Sequence, residues 1–167
     1  MICNRVADPA PGERVSVGFG HQRHPVGSGK GAVVPSIDAV EGIGQRTATK
    51  LRKNGIRTTE ALLKRAGDRR GRKLLAADTG FAEKQILQWV NRADLMRCRG
   101  IGGEYSDLLE SAGVDTIKEL RRRNAVSLTK KMVEINESKK LVRRLPTEAM
   151  VARWIDSAQA IEPLVKY

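Results

Sequence analysis

Two short segments, Gly42-Ile43-Gly44 and Gly100-Ile101-Gly102, have the composition of a backbone cradle for an anion. Glycine lets the main chain turn tightly and approach a ligand closely. A helix that starts directly after such a turn presents free N–H groups and the positive end of its dipole. Phosphate is the group this arrangement suits. Around the first turn, Gln45, Arg46, Thr47 and Lys50 accompany Gly42, Ile43 and Gly44. The second offers Gly100, Ile101, Gly102 and Gly103, with Arg97 and Arg99 leading in, but Glu104 stands where the first has Arg46 and Asp107 where it has Thr49. Carboxylates at a helix N-terminus favour the dipole and repel a phosphate, so the first turn is the stronger candidate.

Other chemistry-bearing residues point nowhere so definite. Gly27-Ser28-Gly29-Lys30-Gly31 imitates a phosphate-binding loop, but His24 stands where that loop needs Gly and Gly31 where it needs Ser or Thr. His21 and His24 lack a third ligand nearby. Cys3 and Cys98 form no metal-binding spacing, and Cys98 falls where the first copy has Val40, the place of a small buried hydrophobe. Gly113-Val114-Asp115 has a passing likeness to the segment that carries a glycosylase aspartate. Its first-copy counterpart is Gly55-Ile56-Arg57, however, and Asp115 precedes a Thr suited to capping, so a turn residue is expected. Catalysis, a metal and a cofactor are therefore not expected.

The elements that must hold the two turns are repeated with them. From Ile37 over Leu95 and Gly42 over Gly100, an offset of 58, the match continues through Leu51/Leu109, Gly55/Gly113, Ile56/Val114, Thr58/Thr116 and Leu62/Leu120. Trp89 then matches Trp154 at an offset of 65, which places seven added residues around Asn136 to Arg144. Helices are expected over about 45–54 and 103–112 and over 70–78 and 81–97, with short ones opened by Thr58 and Thr116. Thr116-Ile117-Lys118-Glu119 has the form of a capping box. Gly55, Gly80 and Gly113 suit left-handed helix ends. Both tryptophans sit amid helical apolar spacing, which predicts packing against their own hairpins rather than base stacking.

Aromatic residues make up only 4% of the 167, so the core must be built from Leu, Ile, Val and Ala, which favours helices. Residues 1–35 hold four of the six prolines and many glycines and read as a disordered tail. The expected organisation is two units, 36–92 and 93–162, packed as one all-α domain. Net charge is +12, and from Ile37 onward 27 basic residues stand against 17 acidic, so the folded part alone carries +10. Lys64, Arg65, Arg69, Arg70, Arg72 and Lys73 form one basic cluster, Arg121-Arg122-Arg123 a second, and Lys139-Lys140 with Arg143-Arg144 a third. Such a balance favours a polyanion, although charge runs on helices are commonly solvated faces. No apolar run is long enough to span a bilayer and no signal-like stretch opens the chain, so a cytoplasmic protein without a membrane partner is expected.

The pattern apolar-x-Gly-apolar-Gly, followed by a helix with a small residue at Ala48 or Ser106, resembles the helix–hairpin–helix motif of DNA repair and replication proteins. The chain from Ile37 to about Ile161 is also similar to domain of unknown function 4332, a family built on such repeats. The motif's resemblance implies sequence-independent contact with the sugar–phosphate backbone, often of duplex DNA. The family's name implies an architecture and no activity. Two other readings stand beside DNA binding: a protein-interaction or scaffolding module, since such hairpins also pack helices with the central apolar residue as a core plug, and an accessory module on RNA or the ribosome.

Overall fold

The computed structural model describes residues 34–167. The segment 27–31, His21, His24 and nearly all of the expected tail lie outside them. Every regular element among the described residues is helical: a 3-10 turn at Ile37–Ala39, then α1 (Gln45–Lys53), α2 (Thr59–Ala66), α3 (Arg69–Thr79), α4 (Glu83–Leu95), α5 (Gly103–Ser111), α6 (Ile117–Leu120), α7 (Ala125–Lys139) and α8 (Glu148–Gln159). The all-α reading holds. One isolated antiparallel bridge, Ser36 with Thr58, is the sheet-like pairing among these residues.

Four helices start on a side-chain oxygen that accepts from an otherwise unpaired backbone N–H, each cap contributing about 1 kcal/mol. Thr58 accepts from Ala61 N at 3.2 Å, Asp68 from Gly71 N at 2.6 Å, Asn124 from Ser127 N at 3.1 Å and Thr147 from Met150 N at 3.3 Å. Helices α1 and α5 instead start at Gly44 and Gly102, with no side chain closing their first turn.

The two copies share one backbone course. Gly42 and Gly100 turn at φ 83° and 94°, values only glycine adopts freely. Ile43 N donates to Val40 O at 3.0 Å, as Ile101 N does to Cys98 O at 3.1 Å. Each hairpin helix is closed alike, by Ile56 N on Leu51 O and by Val114 N on Leu109 O. The added residues of the second copy divide between a longer helix and a longer connection. Helix α7 has 15 residues against 11 in α3, and the loop after it is held by the Asn136 side chain, which bonds both N and O of Val142.

Buried side chains fall into two clusters, one built from the 3-10 turn and α1–α4, the other from the end of α4 and α5–α8. Helix α4 serves both, with Ile86, Trp89, Val90 and Ala93 in the first and Leu95 in the second. At α6 this sharing overturns the expected capping box. Thr116 makes no cap with its side chain, and the Glu119 carboxylate reaches past it to accept from Asp115 N at 2.9 Å. The Ile117 N–H goes instead to Asp94 Oδ2 at 3.1 Å, because α4 sets the fully buried Asp94 beneath α6. Its first-copy counterpart, Thr59 N, donates to the Pro35 carbonyl at 3.1 Å, so Pro35, assigned to the tail from composition, belongs to the fold.

After α8 the chain returns across the first unit, held by three arginines. Arg121 donates from Nε to Ala158 O at 2.6 Å and from Nη2 to Ile161 O. Arg97 reaches Glu162 O at 2.8 Å and Arg72 reaches Lys166 O at 2.9 Å. Lys166 N donates to Gly67 O at 2.9 Å, and Val165 packs against the first core. Two members of the expected basic clusters are corrected by this: Arg72 is 3% exposed and Arg121 half-buried, both spent on backbone carbonyls.

Candidate functional site

At the first hairpin Gly42 and Gly44 are exposed while Ile43 between them is buried as a plug. The floor is Trp89: a Cβ placed on Gly42 would lie 3.5 Å from its Nε1 and 3.1 Å from Arg92 Nη1. In the second copy a Cβ on Gly100 would lie 3.1 Å from Trp154 Nε1. Each tryptophan is buried beneath its own hairpin, as its spacing predicts.

Helix α1 leaves the hairpin with its first turn open. Gln45 and Arg46 are exposed and Thr47 partly so, and the helix has no acidic residue in that turn. Arg46, Lys50 and Lys53, spaced four and three apart, lie on one exposed face. The Lys50 ammonium stands over the Phe81 ring, 5.1 Å from its centroid, and Phe81 meets Trp89 edge-on at 5.1 Å. Attraction to the ring face limits where Lys50 can go without neutralising it. A positive charge beside the positive end of a helix is locally unfavourable, and an anion bound there relieves it.

The second hairpin differs in what surrounds it. Gly100 and Gly102 are exposed and Ile101 is a buried plug, but Gly103 is pressed against the first hairpin, where a Cβ would stand 2.5 Å from Ala39 O. Asp107 and Glu110 are not free to repel a ligand. Arg92 of α4 lies between the copies and donates Nη2 to Asp107 at 2.5 Å, Nε to Glu110 at 2.5 Å and Nη1 to the Glu41 carbonyl at 2.7 Å. Burial pushes the Glu110 carboxyl above its usual range despite Arg92, which pulls the other way. Arg97 is tied to Asp94 at 2.9 Å and to Glu162 O, so it does not face the hairpin's solvent side as a free cation. Glu104 is exposed. Arg99 is exposed too and, with Gly100, Met150, Arg153, Trp154 and Ser157, lines a recess of about 500 Å³.

The structure therefore brings Gly42, Ile43, Gly44, Gln45, Arg46, Thr47 and Lys50 together around one open turn, and separates Arg97 and Gly103 from any comparable opening. Sequence reading missed Arg92 and Asp94. The available signal was a mismatch between copies: Arg92 stands over Ser157 and Asp94 over Ser36. Cys98 is 1% exposed and burial pushes its thiol up to about 11, so it stays protonated and inert near neutral pH, as expected of a core residue. The half-buried Asp115 is likewise raised, by burial first and then by Glu119.

Residues 41–161 match the family model described as Domain of unknown function (DUF4332). The chain belongs to this family. Neither a curated protein nor a solved structure matches it. The match covers both hairpins and the eight α-helices of the described residues, since it begins at Glu41 and ends two residues after α8. No helix among the described residues is long and apolar enough to cross a membrane.

Proposed function

We propose that this DUF4332 protein is a non-catalytic, cytoplasmic module that binds the nucleic-acid backbone, duplex DNA first, without reading sequence. The first hairpin acts as a helix–hairpin–helix motif. The observation that carries this is the open first turn of α1, flanked by exposed Gly42 and Gly44, with Arg46 and Lys50 on the helix and no acidic residue in that turn. A phosphate oxygen at that turn would take the unpaired N–H groups, the dipole and the guanidinium together. The net positive charge of the folded part supplies long-range attraction.

Anisotropy with a labelled random duplex at low and physiological salt tests this. Affinity is expected to be about micromolar or weaker at physiological salt and to fall steeply as salt rises. Arg46→Glu should weaken binding about tenfold, while Glu104→Ala changes it little. Absence of binding at low salt overturns the proposal, and equal effects of the two substitutions assign binding to general surface charge. Competition with structured RNA decides between the two polymers.

A further inference from the structure

The contact between the two copies is a docking of one hairpin helix onto the preceding hairpin, and the fold uses it once. Its acceptor side is formed by the backbone of Ala39 and Glu41 and by Arg92, with Gly42 packed beside Arg92 and Trp89, and its donor side by the start of α5. Gly103 fits against Ala39 O with no room for a side chain, and Asp107 and Glu110 meet the Arg92 guanidinium. Carried into the second copy, at the offset of 58 for the hairpin and 65 for the tryptophan helix, and beside Arg97, the counterpart of Ala39, the acceptor becomes Arg99, Gly100, Trp154 and Ser157. These are lining residues of the recess beside the second hairpin, to which Met150 and Arg153 also belong. The recess is thus the second occurrence of a surface whose first occurrence is filled by a helix.

The chemistry of the occupant follows from the lining. Arg99 takes the place of Glu41, and Arg153 stands one turn before Ser157, so two exposed guanidiniums flank the apolar edge of Met150 and Trp154. An acidic helix of the α5 kind complements them. The α1 helix of a second copy does not. Gln45 stands where α5 has Gly103, Thr49 and Arg52 stand where it has Asp107 and Glu110, and α1 carries four cations and no acid. Stacking of identical chains is blocked by bulk and by charge at the same contact.

We infer that the recess beside Gly100 is a docking site for a partner protein. The partner inserts a helix N-terminus that begins with glycine and carries carboxylates four and seven residues later. The recess shares no lining residue with the first hairpin, so on the reading proposed above a polyanion and an acidic protein helix are held by separate sets of side chains.

A side-chain-stapled peptide with the sequence of residues 100–113, its helicity verified by circular dichroism, serves as the probe against the full chain. It should bind saturably, lose about tenfold in affinity or more to Arg99→Glu with Arg153→Glu, and gain with Ser157→Arg, which restores the guanidinium that Arg92 supplies in the first copy. Replacing the glycine at the Gly103 position of the peptide by Val should abolish binding. Both arginines are exposed, and an unchanged circular dichroism spectrum verifies the fold of the double variant. Failure of the helical peptide to bind, or binding indifferent to Arg99 and Arg153, overturns the inference. So does a duplex-DNA affinity that falls as far with these substitutions as with Arg46→Glu, since the recess would then be a phosphate site. That result would leave DNA binding itself standing.

Discussion

Helix α1 carries four cations and no carboxylate, whereas α5, on the same backbone course, carries three carboxylates and no cation. The sign in each case follows what the helix faces. The start of α5 faces Arg92 and the first hairpin, and two of its three carboxylates, Asp107 and Glu110, are consumed there. The start of α1 faces no such surface among the described residues; Arg52 pairs with Asp38 at 3.1 Å, while Arg46, Lys50 and Lys53 remain exposed. When a unit that docks head to tail is duplicated, the inner docking surfaces are spent on the fold and the outer ones keep their freedom. The two hairpins differ for that reason, and not only because the second acquired acidic residues.

The comparison breaks most readily at Asp94. It is fully buried, accepts from Ile117 N and pairs with Arg97, so Asp94→Ala leaves a buried donor unpaired and should cost about 3 kcal/mol in urea unfolding. At the matching position of the first copy, where the carbonyl of Pro35 does the work, Ser36→Ala should stay within about 0.5 kcal/mol. Equal losses would mean that the two copies are supported alike. The next effect is steric. Gly103→Ala puts a Cβ 2.5 Å from the Ala39 carbonyl and should cost about 1–3 kcal/mol by displacing one copy from the other, whereas Gln45→Ala should leave the thermal midpoint nearly unchanged. A tolerated Gly103→Ala would show that the close approach is dispensable.

The smallest effect concerns pH. Burial raises the Glu110 carboxyl above its ordinary 4.5, so the folded chain holds that proton more tightly than the unfolded one. The stability this contributes is fully present below 4.5 and is lost as pH rises through the higher folded-state value. Glu110→Gln should remove that part of the slope in urea midpoints followed across this range. Asp115, raised in the same direction, keeps its own part. An unchanged slope would show that Glu110 does not titrate as its burial requires.

Features that depend on local backbone demands were legible in the residues. The left-handed turns at Gly42, Gly55, Gly80, Gly100 and Gly113 need glycine, and the spacing around Trp89 and Trp154 fixed which way those rings face. What escaped depends on residues distant in sequence. Arg72 looked like one cation in a run, although it shares a helix face with Leu75 and Thr79, both buried. That periodicity was the available hint, and charge concealed it. Arg121 had no such hint, because the carbonyls it meets belong to the far end of α8. The capping box at Thr116 failed for a related reason: local pattern cannot foresee a buried carboxylate arriving from another helix. At the candidate site, the glycines and Arg46 could be read directly, while the loss of Arg97 and Gly103 to packing could not.

The backbone pairing of Lys166 with Gly67 bears on how the molecule comes apart. A stack of repeats joined only to their neighbours can unzip from either end, one unit at a time. Here the segment after α8 is tied through Lys166 to the turn between α2 and α3, so the second unit is joined back to the first and the first cannot open without releasing that segment. The protection of slowly exchanging amides in α2 and α7 should then collapse together, as a single cooperative foldon rather than as two.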